Sequence, residues 1–293
     1  MKQSDESIVQ VPIRSLRSFP NHPFRITDDV SMQQLIDSIR LLGVLNPVII
    51  RYMDGVTWQL ISGHRRKHAC ELLGIEDIPA IIKEIDEDEA TIMMVDSNFQ
   101  REALLPSEKA RAYKMKLDAV KRQGARNDLT SAHDGQKLNR KSSRDLIAEN
   151  SPDSSTQIQR FVRLNELIPE LMDLVDQGRV AVTPAVELSY LTPDEQVMVV
   201  LTIDSEQSSP SLSQAQRMRR LSKEGKLTDE MVLSILSEKK KSECWNLALP
   251  MNRVSKYFPN TYTPQQMQDT IINLLESWLK MKKKQEEKHG GKA

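Results

Sequence analysis

The stretch "PVIIRYMDGVTWQLISGHRRKHACELLG", Pro47 to Gly74, decides the fold class of this 293-residue chain. Its first half holds two β-rich runs, "PVIIRY" and "TWQLI", separated by Asp54-Gly55, a pair suited to a tight hairpin turn. Ser62-Gly63 then breaks the run. Three consecutive cations, Arg65, Arg66 and Lys67, open a segment that closes at Gly74 and reads as a helix.

The neighbouring segments continue the alternation. Upstream, Thr27 or Asp28 caps a helix whose apolar positions Met32, Leu35, Ile36, Ile39 and Leu42 follow helical spacing up to Gly43. Downstream, "IPAIIKEI" reads as a strand, and Asp86 with Glu89 forms a capping box for a helix to about Asn98. Strands and helices mixed at this density predict a small α+β domain. A helix follows from Pro106 to Gln123 with Gly124 as its stop, and residues 125–141, with almost nothing to bury, read as a linker. Short helices continue to about residue 240, with start signals at Thr192-Pro193 before Glu195 and at Thr228. From Thr263-Pro264 onward, Met267, Ile271, Leu274, Leu275, Trp278 and Met281 fall on one side of a helix. That stripe serves equally for pairing with another helix or for packing on its own chain.

Composition narrows the function classes. Lys plus Arg and Asp plus Glu are 41 each, so net charge alone points to no polyanionic partner. The distribution is uneven: residues 11–100 carry 9 basic against 13 acidic side chains, and residues 101–165 carry 14 against 8. A basic middle segment in a neutral protein is a candidate nucleic-acid surface. Scarce aromatics argue against stacking platforms for single strands. Two cysteines, Cys70 and Cys244, give no disulfide framework, and the absence of a long apolar run leads us to expect a cytoplasmic setting with no membrane contact.

Three stretches carry chemistry. In the first, His64 and His68 stand four residues apart, a spacing that suits zinc. The protease pattern needs Glu where Arg65 stands, cations flank the pair, and no Cys/His/Asp cluster supplies further ligands, so no metal is expected there. A phosphate fits better: a strand, Ser62-Gly63, then a helix brings free N–H groups and a positive dipole end to one point, with Arg65 or Arg66 as a planar fork. Solvated arginines at a strand-to-helix turn remain the commoner explanation. The second stretch, Val95 to Tyr113, ends a helix with Asn98, Gln100 and Arg101, which either cap the backbone or close over a ligand. The third, residues 141–171, is a short helix, a turn at Asn150 to Asp153, and a helix with Ile158, Phe161 and Val162 inward. Its outer positions are Ser155, Thr156, Gln157, Gln159, Arg160 and Arg163. That is either a plain helical hairpin or a helix-turn-helix built to enter a major groove. Gln and Arg suit base edges; Lys141, Ser143, Arg144 and Ser154 suit phosphates.

Taken together, these stretches resemble the ParB partition-protein family. Its G-E-R-R-x-x-A motif is matched by Gly63, His64, Arg65, Arg66 and Ala69, and its E-N-x-Q-R motif by Asn98, Gln100 and Arg101. Leu104, Pro106, Glu108 and Ala110 follow the family's L-x-P-x-E-x-A, and "PNHPFR" with Arg25 is similar to its P-N-P-x-Q-P-R. The likeness covers about residues 7–200. It implies an α+β fold: a ParB-like nucleotide-binding domain over residues 1–103 and a helical DNA-binding domain over 104–204 with its helix-turn-helix at about 142–165; residues 205–293, less well covered, read as a helical C-terminal region with dimerisation as one use of its apolar stripe. It implies a homodimer binding a palindromic double-stranded DNA site, CTP with or without Mg²⁺, a ParA-type ATPase partner, and association with the nucleoid or a plasmid. Arg25, Gly63, His64, Arg65, Arg66, Asn98, Gln100 and Arg101 would then hold the nucleotide. Two positions depart: His64 and Ser97 stand where the family has Glu. Serine is a poor Mg²⁺ ligand, which puts CTP hydrolysis in question. The alternatives are a transcription regulator without nucleotide use and a nucleotide-dependent kinase, which would need a carboxylate base.

Overall fold

Five strands, β1 (Ile8–Pro12), β2 (Leu16–Arg17), β3 (Val48–Asp54), β4 (Thr57–Ser62) and β5 (Asp77–Ile82), make one mixed sheet in the order β1-β5-β3-β4-β2. The structure is a computed structural model that describes residues 7–54, 57–100, 104–130, 142–149, 151–238, 257–259 and 262–289. β3 pairs antiparallel with β4, while β5 returns parallel to β3 after the chain crosses over through α2 (His64–Leu72). The centre of the intervening turn, residues 55 and 56, lies outside the described residues.

Consecutive residues of β4 serve opposite cores. Leu60 joins Val48 and Ile50 under α2 and α1 (Val30–Leu42), among Met32, Ile36 and Ala69. Ile61 joins Phe24, Met94 and Val95 on the other face, where α3 (Glu87–Phe99) packs. This is the period-two alternation of a strand, and coverage on both faces is why the run reads as continuously apolar. The cap of α1 is Asp29, one residue beyond the expected Thr27 or Asp28. Its Oδ1 accepts the Met32 N–H at 2.9 Å, and Thr27 supports it by donating to Oδ2 at 3.0 Å. Bonds from Ser31, Met32 and Thr27 lower the Asp29 carboxyl to about 2. The capping box of Asp86 and Glu89 is present as expected.

The next helix, α4, runs Pro106–Thr130 and passes straight through Gly124. A glycine ends a helix when it turns left-handed just past the last turn; Gly124 keeps a helical conformation and costs about 1 kcal/mol against alanine. Residues 125–130 are therefore helical and not linker, and 131–141 lie outside the described residues. α4 is the common wall of the first unit. Ala112 faces the sheet side, Tyr113 and Leu117 face Ile147 and Ile158, and Ala110 faces the helical core beyond. Rings of Phe24, Phe99, Tyr113 and Phe161 follow one another at 6.3, 4.6 and 6.0 Å across it. Two ion pairs bind α3 to α4, Asp96–Lys116 at 2.5 Å and Asp88–Arg122 at 2.7 Å.

Seven short helices follow among the described residues: α5 (Ser143–Glu149), α6 (Ser155–Leu164), α7 (Pro169–Asp176), α8 (Val182–Leu188), α9 (Pro193–Glu206), α10 (Leu212–Lys223) and α11 (Asp229–Ser237). Leu164, Leu188, Val199, Met218 and Ile235 share one core, so helices on both sides of residue 205 pack together. Capping boxes start α6, α9 and α10; such caps each stabilise a helix by about 0.5–2 kcal/mol. Met1–Glu238 form one compact unit and Lys239–Ala293 a second, containing α12 (Pro264–His289). On α12 Met267 is buried, whereas Leu274, Leu275, Trp278 and Met281 are exposed. Among the described residues no helix is long and apolar enough to cross a membrane.

Candidate functional site

Gly63 forms the N-cap of α2 at φ +104°, in the left-handed region. Added there, a Cβ would sit 2.6 Å from Val48 Cγ1 and 3.2 Å from Arg66 Cζ. Only glycine lets the strand turn so tightly into the helix, and the turn aims the N-terminal end of α2 into a cleft of about 440 Å³. Gly63, His64, Arg65, Arg66 and Asn98 line it together, although α2 and α3 are separated by a whole strand. Ser31 of α1 and Asn46 line it as well, and sequence reasoning missed both. Of the remaining expected residues, Arg25 and Gln100 are exposed outside the lining, with the Arg25 backbone N–H donating to Glu108 Oε1 at 2.7 Å. Arg101 lies outside the described residues.

The two arginines do different work. Arg66 Nη1 donates to the carbonyls of Asn46 at 2.5 Å and Pro47 at 2.8 Å, fastening the loop before β3, and burial lowers its pKa from the usual guanidinium value. Arg65 Nη2 donates to Ser31 Oγ at 2.6 Å and lies 3.8 Å from Asp29, both exposed partners that a ligand could displace. The histidines diverge: the His64 ring lies 3.9 Å from that of His22, and His68 Nε2 is 2.8 Å from Asp28 Oδ1.

A volume of this size, polar walls, a helix N-terminus and Arg65 suit a ligand that carries phosphate groups. They do not fit a Mg²⁺ held by the protein. Among the described residues, none that lines the cleft carries a carboxylate. Ser97 Oγ donates back to the Met94 carbonyl at 3.0 Å, and the neighbouring Asp96 is occupied by Lys116, whose side chain is 4% exposed.

Along the first two turns of α4, the turn between α5 and α6 is pinned. Tyr113 Oη bonds Asp153 Oδ2 at 2.7 Å and Ser151 Oγ at 2.6 Å, and Lys109 Nζ donates to Asp153 at 3.3 Å. Burial pushes the Tyr113 phenol above its usual range. Ile158 is fully buried, with Phe161 and Val162 half-buried, as the spacing predicts. Ser154 and Gln157 exchange the bonds that begin α6, and Ser155, with Ser142, helps hold the Asp145 carboxyl below its usual range. Thr156, Gln159 and Arg160 remain exposed on the outer face. Gln159 also lines a cleft of about 400 Å³ with Ser143, Arg144 and Lys121, a lysine that helical spacing alone did not single out. Arg163 is engaged within the fold: Nε and Nη2 donate to Ser189 Oγ at 3.1 Å and its carbonyl at 2.6 Å. Lys141 lies outside the described residues.

Residues 1–99 match the model of the ParB N-terminal domain family. The chain is 26% identical over 197 residues to the chromosome-partitioning protein Spo0J of Thermus thermophilus, covering 67% of this chain and 65% of that protein. It is 27% identical over 203 residues to a nucleoid occlusion protein of Listeria monocytogenes, covering 69% and 64%. The chain thus spans just under two thirds of the length of these relatives. A solved structure of truncated ParB from Caulobacter crescentus, complexed to the centromeric parS site, is 20% identical, covers 72% of this chain and 98% of its own, and superposes with a TM-score of 0.44.

Proposed function

We propose that the chain, whose residues 1–99 match the ParB N-terminal domain family, is a ParB-type partition protein: a sequence-specific DNA-binding protein that marks a duplex site for segregation. The observation that carries this reading is the anchored α5–turn–α6 unit with Thr156, Gln159 and Arg160 outward on a firmly capped helix. Gln159 and Arg160 read base edges in the major groove, while Ser143, Arg144, Lys141 and the start of α6 at Ser154 to Gln157 meet phosphates. CTP occupies the Gly63–Arg66 cleft; its triphosphate supplies the anion that joins α1, α2 and α3, with Arg65 leaving Ser31 to meet it. Binding without turnover follows from the lack of a lining carboxylate among the described residues. A ParA-type ATPase is the partner, and the site of action is the nucleoid or a plasmid.

Gln159→Ala or Arg160→Ala is expected to reduce discrimination between a duplex selected from a random library and an unselected one by about 1–3 kcal/mol. Arg144→Ala should weaken both duplexes alike. Equal losses on both duplexes for all three variants would show that α6 does not read bases.

The exposed stripe of α12 provides the homodimer contact in this reading. Removing residues 262–293 should then convert a dimer to a monomer in sedimentation; a truncated chain that stays dimeric contradicts it. A second reading, a regulator that uses no nucleotide, draws on Arg66, whose guanidinium is committed to the Asn46 and Pro47 carbonyls.

A further inference from the structure

Tyr190 lies just past α8 and is 43% exposed, an unusual place for a large ring in a chain with few aromatics. Two guanidiniums lie over it, Arg163 with Cζ 4.1 Å from the ring centroid and Arg219 of α10 with Cζ 3.5 Å away. Like charges brought to one ring repel each other unless something compensates, and the two arginines are compensated unequally. Arg163 gives two hydrogen bonds to the buried Ser189 and is fixed. Arg219 gives one, to Glu187 Oε2 at 2.7 Å, and is 44% exposed. A guanidinium carries five N–H donors, so this one bond leaves Arg219 with donors to spare.

The surroundings point the same way. Tyr190 and Arg163 share a cleft of about 360 Å³ with Thr156, Gln159 and Arg160, the outward residues of α6. Along α10, Lys223 falls about 40° and Arg220 about 100° around the helix from Arg219, and all three are exposed. The adjoining face, through Ala215 and Met218, is locked into the core that also holds Leu164 of α6. A positive strip is therefore held at a fixed position beside the base-reading face.

We propose that Tyr190 and α10 form a second DNA contact, in which Arg219, with Lys223 and Arg220 beside it, grips the phosphodiester backbone flanking the groove that α6 enters. Arg163 is a positioning residue that holds the Tyr190 ring against Arg219. The inference rests on the DNA-binding reading above but adds residues from a region that reading left to other roles. Glu187 acts as a placeholder: its carboxylate holds Arg219 until a phosphate oxygen takes over, as charge-assisted bonds to a guanidinium fork allow.

The test uses the full chain and a random-sequence duplex, since phosphate contacts do not depend on sequence, with affinity followed by fluorescence anisotropy across a salt series. Arg219→Gln should lower affinity about three- to tenfold at low salt and reduce the slope of log K against log salt by about one. Glu187→Gln, which frees Arg219 without removing it, should bind as well as the wild type or better. If Glu187→Gln loses affinity in step with Arg219→Gln, with matching losses of melting temperature, the pair is only a structural tether and the proposal fails. If wild-type protein binds the duplex and Arg219→Gln binds it equally, the proposal fails while the DNA-binding reading stands. If wild-type protein binds no duplex at all, both fail.

Discussion

Gly63→Val should lower the unfolding free energy by about 2–6 kcal/mol and abolish nucleotide binding. Two separate costs add. At φ +104° a β-branched residue occupies backbone space closed to it, which costs about 1–3 kcal/mol. Its Cβ would then start 2.6 Å from Val48 Cγ1, and Val48 is fully buried between α2 and the sheet, so relief requires the core to move. Overpacking of that kind costs about 1–3 kcal/mol more. Gly43 supplies the comparison, because it too has positive φ, +71°, but a Cβ added there would meet nothing within 4 Å. Gly43→Val should therefore show the backbone cost alone. Denaturant titration of both variants separates the two; equal losses would mean that the close approach to Val48 is not a constraint.

Arg65→Ala should leave stability almost unchanged and reduce CTP affinity about ten- to hundredfold. Its present partners, Ser31 and Asp29, are exposed, and exposed pairs contribute at most about 1 kcal/mol. Toward a triphosphate the same guanidinium makes charge-assisted bonds inside a cleft that shares the positive end of α2. Titration calorimetry with CTP on both proteins reads the difference directly. Unaltered CTP affinity in the variant would remove Arg65 from the site; a matching loss of melting temperature would make its role structural.

The strand-to-helix turn and the pair of short helices α5 and α6 were both legible because their signals are local. Ser62-Gly63 before a cationic run, Gly74 after it, and the turn residues from Asn150 to Asp153 are each recognisable within one turn of chain. The edge strands β1 and β2 were not, since the alternation of β1 lasts only from Ile8 to Pro12 and ends in a proline, and β2 spans only Leu16–Arg17. Gly124 misled because a glycine's effect depends on whether it turns left-handed, and the long α4, gripped on both sides by cores, gives it no reason to. The cleft was partly legible for a related reason. Gly63 to Arg66 are contiguous, but Ser31 reaches Arg65 from 34 residues away, and Asn46 comes from a loop on another element. Arg163 showed the opposite limit: helical spacing set it outward with Gln159 and Arg160, yet Ser189, 26 residues on, claims its guanidinium.

The central claim is that α6 recognises a particular duplex site in the cell. Chromatin immunoprecipitation of the full chain, alongside the Gln159→Ala and Arg160→Ala variants, tests it most directly. The wild type should give one or a few sharp peaks centred on a palindromic sequence, and the variants should lose those peaks while keeping a diffuse background. Uniform recovery of DNA by wild type and variants alike, with no peak, would contradict it.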